Sequence, residues 1–108
     1  MKFRIERDVI GEVKVPEDAY AGSFTLRAQQ NFQISGITAP QAFKKALGII
    51  KKTAAITNME LGELDKRDAK AIIKAAEEFI DGKFDNEFVL DVFQAGAGTP
   101  FNMNANEI

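Results

Sequence analysis

The sequence predicts a small, mainly α domain of three to four helices with a short β-hairpin at its N-terminus, and three observations carry that reading. Apolar residues recur at three- and four-residue spacing through several stretches between residues 16 and 80, the period of helices with one buried face. Gly36, Gly62 and Gly82 fall where those stretches stop, as glycines at helix ends do. The first fifteen residues instead alternate with a period of two around Gly11, the pattern of strand, turn and strand. A length of 108 residues suits one domain with one ordinary core.

Taken in order, Phe3 and Ile5 precede Gly11, and Val13 and Val15 alternate with Glu12 and Lys14. A hairpin pairing residues 3–7 with 12–15 is expected, and a lone hairpin is marginal, so it must lie on something else. Pro16-Glu17-Asp18 reads as a turn and helix start, after which Tyr20, Phe24, Ala28 and Phe32 stack on one face until Gly36. Thr38-Ala39-Pro40-Gln41 has the pattern of a capping box. The longest helix is expected over about residues 39–60, with Phe43, Ala46, Leu47, Ile50, Ala54 and Ile56 or Thr57 along one side. The pairs Lys44-Lys45 and Lys51-Lys52 lie mainly on the other, and Gly62 ends it. Asp65 and Asp68 introduce a third helix with Ala69, Ile72, Ala76, Phe79 and Ile80 inward and Lys66, Lys70 and Lys74 outward; Gly82 follows it. Phe84 to Phe93 reads as an extended, buried connector. Gln94 to Gly98 then forms a Gly-rich loop running into a last helix that opens near Thr99-Pro100. The expected core gathers Phe24, Phe32, Phe43, Leu47, Ile50, Ile72 and Phe79. No stop signal precedes Ile108, so the chain is expected to be part of something longer.

Composition excludes whole classes of chemistry. With 14 basic and 16 acidic residues the net charge is −2, which argues against an electrostatic binder of nucleic acid or membranes. The absence of cysteine removes disulfides, thiolate metal sites and thiol nucleophiles. The absence of histidine removes the usual proton carrier at neutral pH. No apolar run approaches a membrane span and no signal peptide is visible, so a cytoplasmic setting is expected. No spacing suggests a metal site.

Three groups of residues remain as candidates for chemistry. Thr99 follows Gly96-Ala97-Gly98 and precedes the last helix. Glycines admit close approach to backbone N–H groups, and a helix N-terminus favours an anion, so a carboxylate or phosphate would suit this turn. The simpler alternative is Thr99 as helix N-cap with Pro100 at the first helical position. Asn102, Asn104 and Asn106 are a costly choice for a short helix, the kind a sequence keeps for polar contacts. Arg27, on the flank of the first apolar stripe, either clamps a carboxylate bidentately or pairs with a nearby acid.

At this point the residues resemble a known family. Arg4-Ile5-Glu6-Arg7-Asp8, Gly11, Val15-Pro16, Asp18-Ala19-Tyr20, Gly22, Thr25-Leu26-Arg27-Ala28 and Asn31-Phe32 look like the start of the aspartase/class II fumarase superfamily. Gln94-Ala95-Gly96-Ala97-Gly98-Thr99 with Asn102-Met103-Asn104 and Asn106-Glu107 is similar to its first signature block. The middle agrees through Lys51-Lys52-Thr53-Ala54-Ala55, Asn58 and the Phe88–Gln94 lead-in. The resemblance implies a mainly helical, homotetrameric lyase that needs no cofactor. Such a lyase eliminates ammonia or water from a four-carbon dicarboxylate to give fumarate, at sites built from three subunits. It implies that Thr99 hydrogen-bonds a substrate carboxylate, that Gly98 and Ala97 line that wall, that Arg27 supports carboxylate binding, and that Asn102 shapes the loop. No catalytic residue is carried over, because the family's serine loop, central helical bundle and C-terminal domain have no counterpart here. Residues 1–108 are thus expected to be the N-terminal domain alone, inactive in isolation. Ala97 stands where class II fumarases usually have serine, and Phe93 where they have tryptophan, which favours the aspartase branch. A class II fumarase domain and a free-standing helical assembly module are the alternatives.

Overall fold

The hairpin forms where the alternation predicts it. In a computed structural model that describes residues 1–108, β1 (Phe3–Arg7) pairs antiparallel with β2 (Glu12–Pro16), with Arg4 opposite Val15 and Glu6 opposite Val13. That register puts Arg4 and Glu6 on the same face as the buried Val15, and leaves Phe3 and Ile5 exposed. The polar pair faces inward because it has work there. The Arg4 guanidinium donates to Glu6 and to the carbonyls of Pro16, Ala19 and Ala21 at 2.7–3.1 Å, shaping the loop after β2.

Four helices follow: α1 (Ser23–Asn31), α2 (Gln41–Glu60), α3 (Lys66–Ile80) and, after a 3₁₀ turn at Asp85–Glu87, α4 (Thr99–Glu107). The chain divides into two compact units, residues 1–39 with 86–108, and residues 40–85.

In the first unit α1 begins later than the Pro16-Glu17-Asp18 signal suggests. Gly22 is its N-cap, Tyr20 lies before it, and Phe32 is its C-cap. The stripe Tyr20, Phe24, Ala28, Phe32 is therefore not one buried face: Tyr20 and Phe24 are exposed, and Thr25 and Ala28 are the buried residues of the helix. The connector is buried at Phe88 and Leu90, both 1% exposed, but it opens with the 3₁₀ turn and leaves Phe93 exposed. Phe101 of α4 packs its ring 5.4 Å from that of Phe88. The closing segment is thus no open tail: Pro100, Phe101 and Asn104 are buried.

In the second unit α2 and α3 pack together. Asp65 caps α3 as expected, its side chain accepting from the Arg67 N–H at 3.0 Å, and Gly62 and Gly82 adopt the left-handed conformation. The capping box at residues 38–41 does not form. Pro40 is the N-cap of α2 with no side-chain cap, Thr38 bridges to Asp91, and the Gln41 amide reaches Asp85. The seam also differs from the large apolar residues expected. Lys44, Gly48 and Ala55 are the buried residues of α2, while Phe43 and Ile50 are exposed. On α3 Ala69, Ala76 and Phe79 are buried and Ile72 is exposed. The reason is that side chains of α3 already fill the space over Gly48. A Cβ on Gly48 would lie 2.7 Å from Ile80 Cγ1 and 3.0 Å from Phe79 Cδ1, so small residues are the ones that fit. Of the core expected from periodicity, only Phe79 is buried; the core is Val15, Ala21, Ala28, Ala39, Phe88, Leu90 and Phe101 in one unit and Ala55, Ala69, Ala76 and Phe79 in the other.

Candidate functional site

The Gly-rich loop ends in a tight turn. The Gly98 N–H donates to the Ala95 carbonyl at 2.9 Å, and Gly98 takes φ +81°, ψ +10° as the N-cap of α4. That left-handed conformation is one that glycine adopts without strain. The helix starts one residue earlier than the N-cap reading of Thr99 supposes. Thr99 is its first residue, and glycine as N-cap supplies no side chain to satisfy the first N–H groups. The Asn102 N–H donates to the Gly98 carbonyl at 3.1 Å. Ala97, Thr99 and Asn102 are exposed, and Thr99 and Asn102, three residues apart on a helix, are neighbours. Four sequence-predicted residues, Ala97, Gly98, Thr99 and Asn102, therefore meet at one helix N-terminus, where backbone donors and the helix dipole favour an anion.

Arg27 is engaged elsewhere. Its guanidinium grips Asp8 bidentately, Nε to Oδ2 at 2.6 Å and Nη2 to Oδ1 at 3.0 Å, and Nη2 also donates to the Gly11 carbonyl at 3.2 Å. The fork-on-carboxylate geometry pins the hairpin turn to α1. The hydrogen bond from Arg27, opposed by desolvation and aided by the N–H groups of Ile10 and Gly11, holds the Asp8 carboxyl below its ordinary value.

The three asparagines separate. Asn104 is fully buried, its Nδ2 donating to the Glu87 carbonyl at 3.1 Å while its Oδ1 has no partner. Asn106 is exposed and touches Met103 sulfur at 3.7 Å.

Sequence reasoning misses the acidic residues that hold this unit together. Glu107 accepts from the N–H groups of Phe24 (3.1 Å) and Thr25 (2.7 Å) and from the Thr25 hydroxyl. Glu6 accepts from the Ser23 N–H at 2.8 Å, and Glu87 from that of Tyr20 at 3.0 Å. Asp91 accepts from the N–H groups of Ser35, Gly36 and Phe93 and from the Ser35 hydroxyl at 2.7–2.9 Å. Burial pushes the Asp91 carboxyl up, but those donors together outweigh it and bring it down to about 2. The one local signal is that a helix beginning Gly22-Ser23-Phe24-Thr25 has no acid in its first turn, which leaves its first N–H groups open to acceptors from elsewhere in the chain.

Comparison with known proteins converges on one group of enzymes. Residues 11–108 match the family described as lyase. An aspartate ammonia-lyase from a Bacillus species is 51% identical over 105 residues, covering 97% of this chain and 22% of that protein. A class II fumarate hydratase from Halobacterium salinarum is 52% identical over 106 residues, covering 98% and 23%. The crystal structure of a fumarate lyase:delta crystallin from Brucella melitensis superposes with a TM-score of 0.92 at 45% identity, over 98% of this chain and 25% of that one. A class II fumarase from Schistosoma mansoni superposes with a TM-score of 0.93 at 39% identity, over 98% and 22%. The chain thus spans less than a quarter of the length of these curated relatives. On the strength of the family match and of identities near one half, the chain belongs to the lyase family that includes the aspartate ammonia-lyases and class II fumarate hydratases.

Proposed function

We propose that the chain is the N-terminal domain of an aspartate ammonia-lyase, which converts L-aspartate to fumarate and ammonia. Its part is to bind a substrate carboxylate at the turn formed by Ala97, Gly98, Thr99 and Asn102. The observation that carries this reading is the left-handed Gly98 N-cap followed by an exposed Thr99 at the first position of α4. A carboxylate there takes a hydroxyl donor and sits in the positive end of the helix dipole. A hydrogen bond to a charged group is worth about 1.5–3 kcal/mol and the dipole adds roughly 0.3–1 kcal/mol. In the elimination the Cβ proton leaves to a base, the carboxylate beside it takes up the developing charge, and the C–N bond then breaks to release ammonia. Donors fixed before the reaction stabilise that charge without reorganising. The base and the remaining donors belong to segments and subunits outside these 108 residues, in keeping with a homotetramer whose sites are shared. Arg27 supports the site indirectly, by fixing α1 to the hairpin turn.

Ala97 favours ammonia over water as the leaving group, since a serine at that position would offer one more donor to the substrate, and Phe93 accompanies it. The second reading, a class II fumarate hydratase, is favoured by the relatives of that name at the same identity. Steady-state assays of the full-length lyase with both substrates decide between them. Faster fumarate formation from L-aspartate than malate formation from fumarate is expected, and dominant malate formation places the chain in the hydratase branch.

A further inference from the structure

Glu107 sits at the opposite end of α4 from the carboxylate-binding turn, and its side chain leaves its own helix to cap another. Its two carboxylate oxygens take the Phe24 and Thr25 N–H groups and the Thr25 hydroxyl, donors that Gly22 cannot satisfy and that no acid in the first turn of α1 covers. Room for this carboxylate is reserved in the sequence. Gly22 has φ −117°, which any residue adopts, yet a Cβ there would lie 2.6 Å from Glu107 Oε2 and 2.8 Å from Glu6 Oε1. A side chain at this position would push both carboxylates off the α1 N–H groups, so glycine leaves them room.

Three holds fix α4 along one side: Phe101 on Phe88, the buried Asn104 on the Glu87 carbonyl, and Glu107 on α1. Asn104 and Glu107 converge on one short segment, because Glu87 in turn accepts from the N–H groups of Tyr20 and Ala21. A helix held at three points neither tilts nor rolls. With the C-terminal hold gone, a tilt of ~10° about Asn104 moves Thr99, five residues away at about 1.5 Å each, by ~1.3 Å. Misplacement of a binding group by about 1 Å is enough to cost orders of magnitude in an enzyme.

From this geometry we propose that Glu107 is a positioning residue for the carboxylate-binding turn. By capping α1 it sets the orientation of α4 and so the place of Thr99 and Asn102. This rests on the reading of that turn as the substrate contact, and it deepens it.

Hydrogen exchange followed by NMR on this chain tests the steering without any substrate. In Glu107→Ala the amides of Phe24 and Thr25 lose protection, and those of Gly98 and Asn102, which donate to the Ala95 and Gly98 carbonyls, exchange at least about tenfold faster. Glu107→Gln, which keeps one acceptor oxygen, restores most of the protection, and Asn106→Ala leaves the turn unchanged. In the full-length lyase Glu107→Ala raises KM for L-aspartate at least fivefold with kcat altered less than threefold, and Glu107→Gln recovers most of it. Unaltered exchange at Gly98–Asn102 while Phe24 and Thr25 become exposed would overturn the proposal, leaving Glu107 as a cap of α1 alone. Should Glu107→Ala fail to fold, Thr25→Val, which removes only the hydroxyl donor to Glu107, is compared with the unsubstituted chain: faster exchange at Gly98 and Asn102 is again expected, and no change there overturns the proposal. A turn that loosens while Thr99→Ala leaves the kinetics untouched would keep the steering and remove the carboxylate-binding reading.

Discussion

In residues 40–85 two helices adjacent in sequence meet along Gly48, Ala55, Ala69 and Ala76, whereas residues 1–39 and 86–108 are tied by carboxylates that reach N–H groups far away in sequence. Asp91 finds Ser35 across 56 positions, and Glu107 finds Thr25 across 82. The first region is sealed by close packing, which is short-ranged and indifferent to pH. The second depends on charged acceptors matched to particular amides, and it also carries every residue of the candidate site. Directional hydrogen bonds fix orientation more sharply than apolar contact does, which suits a region that holds the proposed carboxylate-binding turn in place. An apolar seam suits a region whose task is to be a stable helical pair.

The contrast breaks most severely at a large apolar anchor of the polar region. Phe88→Ala removes a ring that is 1% exposed and packed at a tilt against that of Phe101. It is expected to cost about 3–5 kcal/mol in urea denaturation and to loosen α4 before α2 and α3. In the packed region Gly48→Val forces a branched side chain against Ile80 and Phe79. Overpacking of this kind costs about 2 kcal/mol, read as a fall of roughly 10 °C in Tm.

Acid should separate the two regions. The folded Asp91 carboxyl lies near 2 against its ordinary 3.8, and that of Asp8 is also lowered. A depressed carboxylate contributes stability that is fully present above its unfolded value and is lost as pH falls toward the folded one. Between about pH 4 and pH 2 the amides of Ser35, Gly36 and Phe93 should therefore lose exchange protection while the interior of the α2–α3 pair keeps its own. Simultaneous loss in both regions would show that the carboxylates are not what holds the first. The smallest effect is expected at the Asp65 cap, where Asp65→Ala removes the acceptor for the Arg67 N–H and costs about 1 kcal/mol.

What the sequence makes legible follows the same division. The hairpin, the Asp65 cap, the glycine at position 82 and the Gly-rich entry to α4 are each specified within a few residues, and each stands where periodicity and turn chemistry put it. The seam between α2 and α3 does not, because hydropathy weights Phe43 and Ile50 heavily and Gly48 and Ala55 hardly at all, while the Ile80 and Phe79 side chains leave room at Gly48 for nothing larger. The start of α1 is misread for a related reason. Pro16-Glu17-Asp18 has the composition of a helix start, but the carboxylates that cap α1 come from Glu6 and Glu107, and no local pattern announces a partner 83 positions away. Within the candidate site, Ala97 to Thr99 and Asn102 are legible as a turn and first helical turn, whereas the engagement of Arg27 by Asp8 and the burial of Asn104 emerge only when the chain is folded.

One paired measurement weighs the central proposal that the turn at Gly98 and Thr99 binds substrate whereas the α2–α3 seam contributes stability alone. Steady-state kinetics and thermal unfolding are compared in the full-length lyase for Thr99→Ala and Gly48→Val. Thr99→Ala is predicted to lower kcat/KM for L-aspartate at least about tenfold, the worth of one hydrogen bond to a charged carboxylate, with Tm unchanged. Gly48→Val is predicted to lower Tm and to leave kcat/KM intact at temperatures where the protein is folded. Undiminished kcat/KM in Thr99→Ala would contradict the account and leave Thr99 as the first residue of a helix and nothing more.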